Sequence, residues 1–145
     1  MIGILIATHG GFAEGLLSAV ELIAGKQDHV ETVGLYHGDG IEVFEKKVND
    51  ALDRLDDGDG VIAFVDILGG SPSNVIMRSL GRKKFYAIAG VNMAMTVQAC
   101  MMRDGSSLDE LYETVLQTAK QPPILLHEMY EEMSAGSEAT EEDEF

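Results

Sequence analysis

The stretch that decides the fold opens the chain: Ile2-Gly3-Ile4-Leu5-Ile6-Ala7-Thr8-His9-Gly10-Gly11-Phe12-Ala13-Glu14-Gly15. Its first part is a short, unbroken apolar run, which is typical of a strand buried on both faces of a sheet. The residues from Phe12 onward have the spacing of an amphipathic helix. His9 is therefore predicted to top a first strand, at the edge of a parallel sheet where ligands and catalytic groups collect.

The same order of strand and then helix recurs along the chain. Apolar runs predict a second strand at Val30–Tyr36, a third at Gly60–Val65 and a fourth at Phe85–Ala89, with helical spacing between them. This alternation predicts an α/β fold: a doubly wound, mainly parallel sheet with helices on both faces. In the common strand order 2-1-3-4, strands one and three are neighbours. Asp66, which follows the third strand, is then expected beside His9.

A short apolar segment follows the last of the helices in this alternation. Pro122-Pro123 is expected to end that helix, and Ile124-Leu125-Leu126 is predicted to form a fifth short strand. The residues themselves leave the pairing partner of this strand open.

Composition limits the classes of function. At 145 residues the chain is predicted to form one domain. Its formal net charge of −15 argues against nucleic acid as a partner, because phosphate backbones require a basic face. Eight acids and no Lys or Arg lie between Glu128 and Phe145. Residues 129–145 are therefore predicted to be a disordered, acidic tail.

Three features of the sequence predict the cellular compartment of the protein. The single cysteine, Cys100, allows no internal disulfide, which agrees with a reducing environment. The apolar runs are far shorter than the roughly 20 residues that a membrane-spanning helix needs. The first residues lack the basic leader of a signal peptide. We therefore expect a cytoplasmic protein.

His9 and Asp66 together are the residue types of an oriented, nucleophilic histidine. A carboxylate that accepts the proton-bearing nitrogen of a neutral histidine fixes the tautomer and directs the lone pair of the other nitrogen outward. The same arrangement orients the histidine of a serine protease. This sequence offers no serine or cysteine at the spacing of a nucleophile elbow, so His9 itself is the predicted nucleophile.

Two glycine-rich turns, Gly10-Gly11 and Gly69-Gly70, each open a predicted helix. Glycine lets backbone N–H groups approach a ligand and a helix N-terminus favours an anion, so both turns are predicted to bind phosphate. Ser71 as N-cap, Pro72 at the first helical position and Ser73 are expected to order the second turn, and the serines to add hydroxyl donors. Each feature alone is typical of an ordinary turn. Their shared position favours phosphate on His9.

Three motifs resemble those of one known family. They are Thr8-His9-Gly10-Gly11-Phe12-Ala13-Glu14-Gly15, Asp66-Ile67-Leu68-Gly69-Gly70-Ser71-Pro72-Ser73-Asn74 and Gly90-Val91-Asn92-Met93. Together they are similar to the EIIA component of the mannose family of the bacterial phosphoenolpyruvate-dependent sugar phosphotransferase system (PTS). The resemblance covers residues 1–128 and implies a mannose-type EIIA domain there, with the acidic tail, residues 129–145, outside it.

The resemblance also implies a function. In it, His9 accepts a phosphoryl group from the phosphocarrier HPr and passes it to the EIIB component, which makes the chain a phosphotransferase with a phosphohistidine intermediate. Asp66 orients His9, and Ser71 with the adjacent backbone holds the phosphoryl group. The sugar is phosphorylated later, by EIIB, during transport through the membrane components EIIC and EIID.

An assembly is implied as well. The family resemblance implies a homodimer in which the late strand, Pro123–His127, pairs antiparallel with the sheet of the other subunit. One position departs from the family pattern: Leu68 stands where the family usually has phenylalanine. We expect this change to affect protein docking more than chemistry.

Other functions compete with this interpretation. A receiver domain shares the fold and is phosphorylated on an aspartate at the position of Asp66, but it needs an acidic pair where this chain has Thr8-His9-Gly10. A regulatory module without transfer activity and a phosphoryl-donor subunit of a dihydroxyacetone kinase are further alternatives. No cofactor and no metal are predicted, because the acidic clusters lie in a turn and in the tail and His9 must keep one nitrogen free.

Overall fold

A four-stranded parallel sheet forms the centre of the molecule. The computed structural model describes residues 1–139. The strands are β1 (Gly3–His9), β2 (Val30–Leu35), β3 (Val61–Val65) and β4 (Tyr86–Ala89), in the spatial order β2-β1-β3-β4. Each neighbouring pair is parallel. The predicted α/β fold and strand order are confirmed.

Helices cover both faces of this sheet. The helices of the described residues are α1 (Phe12–Ala24), α2 (Ile41–Leu55), α3 (Ser71–Leu80), α4 (Met93–Met102), α5 (Leu108–Ala119) and α6 (Leu126–Ala139), and the first five of them form the cores on the sheet. The core on one face joins the sheet to α1, α4 and α5, and the core on the other joins it to α2 and α3. Within residues 1–139, no helix is both long enough and apolar enough to cross a membrane.

Residues of the central strands alternate between the two layers. In β1, Ile4 and Ile6 pack in the core of α1, α4 and α5, whereas Leu5 and Ala7 pack in the core of α2 and α3. Successive side chains of a strand point to opposite faces, so a strand covered on both sides is apolar at every position. This explains the unbroken apolar run at the start of the chain.

The register brings the carboxyl ends of β1 and β3 together. Ala7 of β1 pairs with Val65 of β3, and His9 pairs with Leu35 of β2 on its other side. Asp66, the residue after β3, therefore emerges next to the end of β1. The expected neighbourhood of His9 and Asp66 follows directly from the strand order.

The C-terminal segment differs from its predictions. Residues 121–125 have no helix or strand, and α6 begins at Leu126. The described chain therefore has no fifth strand at Pro123–His127. Two consecutive prolines lack backbone donors for a sheet, and apolar residues then recur at helical spacing, at Leu126, Met129, Tyr130 and Met133. The expected disordered tail is likewise helical from residue 129 to residue 139, and its residues 140–145 lie outside the described part.

Candidate functional site

A histidine and a carboxylate meet at the carboxyl edge of the sheet. His9 ends β1, and Asp66 follows β3. The Nδ1 atom of His9 lies 2.8 Å from Oδ2 of Asp66, and the same oxygen accepts the backbone N–H of His9 at 3.0 Å. The backbone of β1 thus fixes the position of the carboxylate, and the carboxylate fixes the ring.

Asp66 is held in its ionised form. Only 11% of its side chain is exposed, and burial by itself raises the pKa of a carboxyl group. The backbone N–H and ring of His9 and the N–H of Ile67, which donates to Oδ1 at 2.9 Å, outweigh burial and hold the pKa of Asp66 below its ordinary value. An ionised carboxylate only accepts hydrogen bonds, so the Nδ1 atom of His9 carries the shared proton.

The other ring nitrogen of His9, Nε2, is left for chemistry. The His9 side chain is 47% exposed. Its Nε2 edge packs on Gly70, because a Cβ built on Gly70 would lie 2.5 Å from Cε1 and 2.9 Å from Nε2 of the ring. Gly70 has an ordinary extended backbone with φ of −94°, so this position requires glycine for space. Asp66 and Gly70 together hold the ring from two sides.

Thr8 organises the first glycine turn, a role that the sequence analysis missed. It is fully buried, and its Oγ1 accepts the Ala13 N–H at 2.9 Å and donates to the His9 carbonyl oxygen at 3.1 Å. The N-cap of α1 is Gly11, which offers no side-chain cap, so Thr8 supplies an acceptor instead. Gly10 turns the chain with φ of +52°, a conformation that favours glycine. A polar residue at the end of a buried apolar strand was the available signal.

The second glycine turn differs from its prediction. Gly70 is the N-cap of α3, Ser71 is the first helical residue and Pro72 is the second, so the predicted N-cap role of Ser71 is wrong. The reason is that Ser73 closes the turn: its Oγ accepts the Gly69 N–H and donates to the Gly70 carbonyl oxygen, both at 3.0 Å. This hydroxyl is buried and already donating. Ser73 is therefore not a donor to a ligand, contrary to expectation.

The predicted site residues come together at this one edge: His9, Asp66, Gly10, Gly11, Gly69, Gly70 and Ser71. The two helices that begin here, α1 and α3, have glycine N-caps without a capping side chain, whereas Asn92 and Ser107 cap α4 and α5. Apart from the Ala13 N–H, whose acceptor is Thr8 Oγ1, first-turn N–H groups without a side-chain acceptor and the helix dipole favour an anion. The arrangement therefore suits a nucleophilic histidine that carries an anionic group.

The two segments that carry His9 and Asp66 supply exposed apolar side chains but no cations. Segments 8–15 and 66–74 contain no Lys or Arg. Three apolar side chains of these segments, Phe12, Ile67 and Leu68, are exposed. Across residues 1–139, no group of three or more His, Cys, Asp or Glu side chains is arranged to hold a metal ion.

Comparison with known proteins gives a consistent set of relatives. The family model EIIA-man, described as "PTS system fructose IIA component", matches residues 3–116. The chain is 39% identical over 122 residues to the PTS system mannose-specific EIIAB component of Escherichia coli (strain K12), which covers 83% of this chain and 38% of that protein. The chain is also 26% identical over 145 residues to the PTS system fructose-specific EIIA component of Bacillus subtilis (strain 168), with 99% of each covered. It thus spans well under half the length of the E. coli relative.

Solved structures agree with these relatives. The PTS IIA protein associated with the fucose utilization operon from Streptococcus pneumoniae has a TM-score of 0.78 at 30% identity, over 88% of this chain and 96% of that chain. The phosphotransferase system component EIIA from Streptococcus agalactiae has a TM-score of 0.75 at 30% identity, over 88% of this chain and 98% of that chain. Fold and sequence therefore point to the same group of proteins.

Proposed function

Because the chain belongs to the EIIA-man family of phosphotransferase-system IIA components, we propose that His9 accepts a phosphoryl group from phospho-HPr and passes it to an EIIB component. The observation that carries the proposal is the 2.8 Å hydrogen bond between His9 Nδ1 and Asp66. It leaves Nε2 of a half-exposed ring as the nucleophile. The chain is then a phosphotransferase that works through a phosphohistidine intermediate.

The proposed step exchanges one P–N bond for another. The lone pair of His9 Nε2 attacks phosphorus, the P–N bond of the donor phosphohistidine breaks, and its electron pair returns to the donor imidazole. The proton on Nδ1 stays between that nitrogen and Asp66. The ring gains positive charge as Nε2 shares its lone pair, and the adjacent carboxylate stabilises it. Transfer to EIIB repeats the exchange with His9 as donor, so the free energies of the two sides are similar.

The glycine turns are proposed to hold the phosphoryl group. Gly10, Gly11, Gly69, Gly70 and Ser71 lie at the starts of α1 and α3. The N–H of Gly10 donates to the Leu35 carbonyl oxygen and that of Gly69 donates to Ser73 Oγ, so the N–H groups of Gly11, Gly70 and Ser71 are the proposed donors to phosphate. Such groups stabilise the negative charge of the equatorial oxygens during in-line transfer. Since neither site segment has a Lys or Arg, the remaining neutralisation falls to residues of the partner protein.

The exposed apolar side chains Phe12, Ile67 and Leu68 are proposed to form the docking surface for HPr and EIIB. They belong to the same two segments as His9 and Asp66 and are open to solvent. A partner that covers them brings its own phosphorylated or acceptor residue to the ring and excludes water from the transfer. Leu68 replaces the phenylalanine usual in the family, so this contact is where partner preference is expected to differ.

Gly70→Ala is expected to slow phosphorylation of His9 by roughly a hundredfold, because the new methyl group would occupy the space of the ring and displace Nε2. The initial rate of phosphoryl uptake from phospho-HPr measures the effect. Gly40→Ala is the control, since a Cβ on Gly40 would meet only Val43 Cγ2 at 4.0 Å. Equal rates for Gly70→Ala and the wild type would contradict the packing of the ring on Gly70.

A homodimer that completes the sheet is also proposed. β4 is an edge strand of the described sheet, and an apolar groove of about 220 Å³ lies beside it, lined by β4 and α3 residues together with Leu68. The segment Pro123–His127 carries three exposed apolar side chains, those of Ile124, Leu125 and Leu126. We propose that this segment from a second copy pairs antiparallel with β4, with the first turn of α6 extending as it docks.

Leu125→Lys is expected to raise the dissociation constant of this dimer by roughly tenfold or more, because a lysine ammonium group would enter the apolar groove. Sedimentation velocity over a concentration series measures the constant. Leu22→Lys, on the exposed face of α1, is the matched control, because Leu22 is as apolar and is 89% exposed. A monomeric wild type, or a Leu125→Lys variant that dimerises like the control, would rule out this pairing.

The compartment and the remaining partners of the chain follow from its proposed role. The chain acts in the cytoplasm, reaches the membrane components EIIC and EIID only through EIIB, and has no nucleic acid partner. Residues 1–128 are proposed as the EIIA domain and residues 129–145 as an acidic extension. The reported relatives are all components of sugar phosphotransferase systems, and the alternative role as donor to a dihydroxyacetone kinase has no support among them.

A reconstituted reaction tests the proposed function. The wild-type chain is mixed with phosphoenolpyruvate, enzyme I and HPr, and its intact mass is followed with time. We expect a gain of one phosphoryl group that is labile in acid, stable in alkali and transferable to an added EIIB. A mass that never changes, or a phosphoryl group lost in alkali as an acyl phosphate would be, refutes phosphorylation of a histidine.

A further inference from the structure

We propose that Ser73 is a positioning residue for His9, acting through Gly70. The inference rests on the proposed function, because it concerns the rate at which His9 Nε2 takes up a phosphoryl group. Ser73 is only 4% exposed, and both hydrogen bonds of its hydroxyl lie within the turn. Any effect of its hydroxyl on transfer must therefore pass through its neighbours.

Two contacts support the ring of His9. Asp66 fixes the Nδ1 side of His9 through a 2.8 Å hydrogen bond, but this single contact leaves the ring free to swing about it. Gly70 limits that swing, since its Cα side faces Cε1 and Nε2 so closely that no Cβ fits. The place of Gly70 thus sets the direction in which the Nε2 lone pair points.

The hydroxyl of Ser73 holds Gly70 in its place. Two consecutive glycines have more backbone freedom than other residues, and Gly69 has φ of +92°. Ser73 Oγ restrains both members of the pair, because it accepts the N–H of Gly69 and donates to the carbonyl oxygen of Gly70, each at 3.0 Å. The same carbonyl accepts the N–H of Asn74 at 3.1 Å as the first bond of α3. The hydroxyl therefore locks the turn to the helix.

Loss of the Ser73 hydroxyl should change the orientation of the His9 ring. Without the hydroxyl, the Gly69 N–H loses its acceptor and the turn can shift, so Gly70 no longer supports the ring. In-line phosphoryl transfer is sensitive to displacements of about 1 Å. The Asp66 bond, the docking side chains and the buried core remain as they are. Loss of the Ser73 hydroxyl should thus slow the transfer itself and leave partner binding unaffected.

Ser73→Ala and Ser79→Ala test this inference as a matched pair. Ser79 is also a buried serine of α3, and its Oγ donates only to the Val75 carbonyl oxygen at 2.9 Å, within the helix. We expect Ser73→Ala to lower the maximal rate of phosphoryl uptake from phospho-HPr by roughly tenfold, with KM for phospho-HPr unchanged. Ser79→Ala should change neither value. Hydrogen exchange at the Gly69 amide should speed up in Ser73→Ala only.

Thermal unfolding of both variants separates positioning from stability, and rates are compared at a temperature where each is folded. Ser73→Cys adds a second probe if the alanine variant folds poorly, because a thiol fills the space but is a weak donor; its maximal rate should fall too. A maximal rate equal to that of the wild type, or a loss matched by Ser79→Ala, overturns the inference. If the wild type is phosphorylated on His9 in the same assay, such a result leaves the proposed function standing.

Discussion

His9→Ala is expected to abolish phosphorylation by phospho-HPr, because the substitution removes the proposed acceptor nitrogen, Nε2 of His9. The fold should survive, since the His9 side chain is 47% exposed and exposed substitutions change the free energy of unfolding little. Intact mass after incubation with phosphoenolpyruvate, enzyme I and HPr measures phosphorylation, and circular dichroism checks the fold. We expect the wild type to gain one phosphoryl group and the variant to gain none.

His37→Ala provides the matched control for that experiment. His37 is an exposed histidine in the turn after β2, at the same edge of the sheet. Its loss should leave phosphorylation at the wild-type rate. If instead His9→Ala still gained a phosphoryl group as fast as the wild type, another residue would be the acceptor and the assignment of His9 would fail.

Asp66→Asn is expected to slow phosphoryl uptake on the order of a hundredfold or more, as removal of an orienting carboxylate does in a catalytic triad. An amide has no charge to stabilise the positive ring. It also offers an N–H toward Nδ1, which favours the tautomer with the proton on Nε2 and blocks the nucleophile. Rapid-quench measurement of the uptake rate tests this. Unchanged kinetics would remove Asp66 from the mechanism.

The same variant should also alter stability in acid. The pKa of Asp66 is lowered in the folded protein, so its ionised form stabilises the fold above the ordinary aspartate pKa of about 3.9. This contribution is lost as pH falls through the lower pKa of the folded state. Unfolding of Asp66→Asn should therefore depend less on pH in that range than unfolding of the wild type. Asp39→Asn, in an exposed turn at the same edge, is the control.

The sequence was sufficient for the four-stranded parallel sheet, for its strand order and for the neighbourhood of His9 and Asp66. Unbroken apolar runs in β1, up to Ala7, and along all of β3 indicated a sheet covered on both faces, and helical spacing between the runs indicated crossovers. The strand order then placed His9 beside Asp66, at the observed 2.8 Å. Each of these inferences depends on periodicity over many residues, which is why local details did not disturb them.

Other parts of the structure depend on single contacts, which the hydrophobic pattern of the sequence does not specify. The hydroxyl of Ser73 reaches back to Gly69 and Gly70, which shifted the N-cap of α3 away from Ser71. The close approach of Gly70 to the His9 ring is a contact between different strand-helix units. The segment after Pro123 had apolar residues suited to either a strand or a helix, and in the single chain α6 begins at Leu126.

The placement of the reactive pair on β1 and β3 has a consequence for how the protein opens. These strands are the two interior members of the sheet and are buried on both faces. Regions of this kind open only with the whole cooperative unit, whereas exposed terminal helices such as α6 fray independently. Local breathing at the C-terminus therefore leaves the geometry of the pair intact, and the pair should separate only when the entire domain melts.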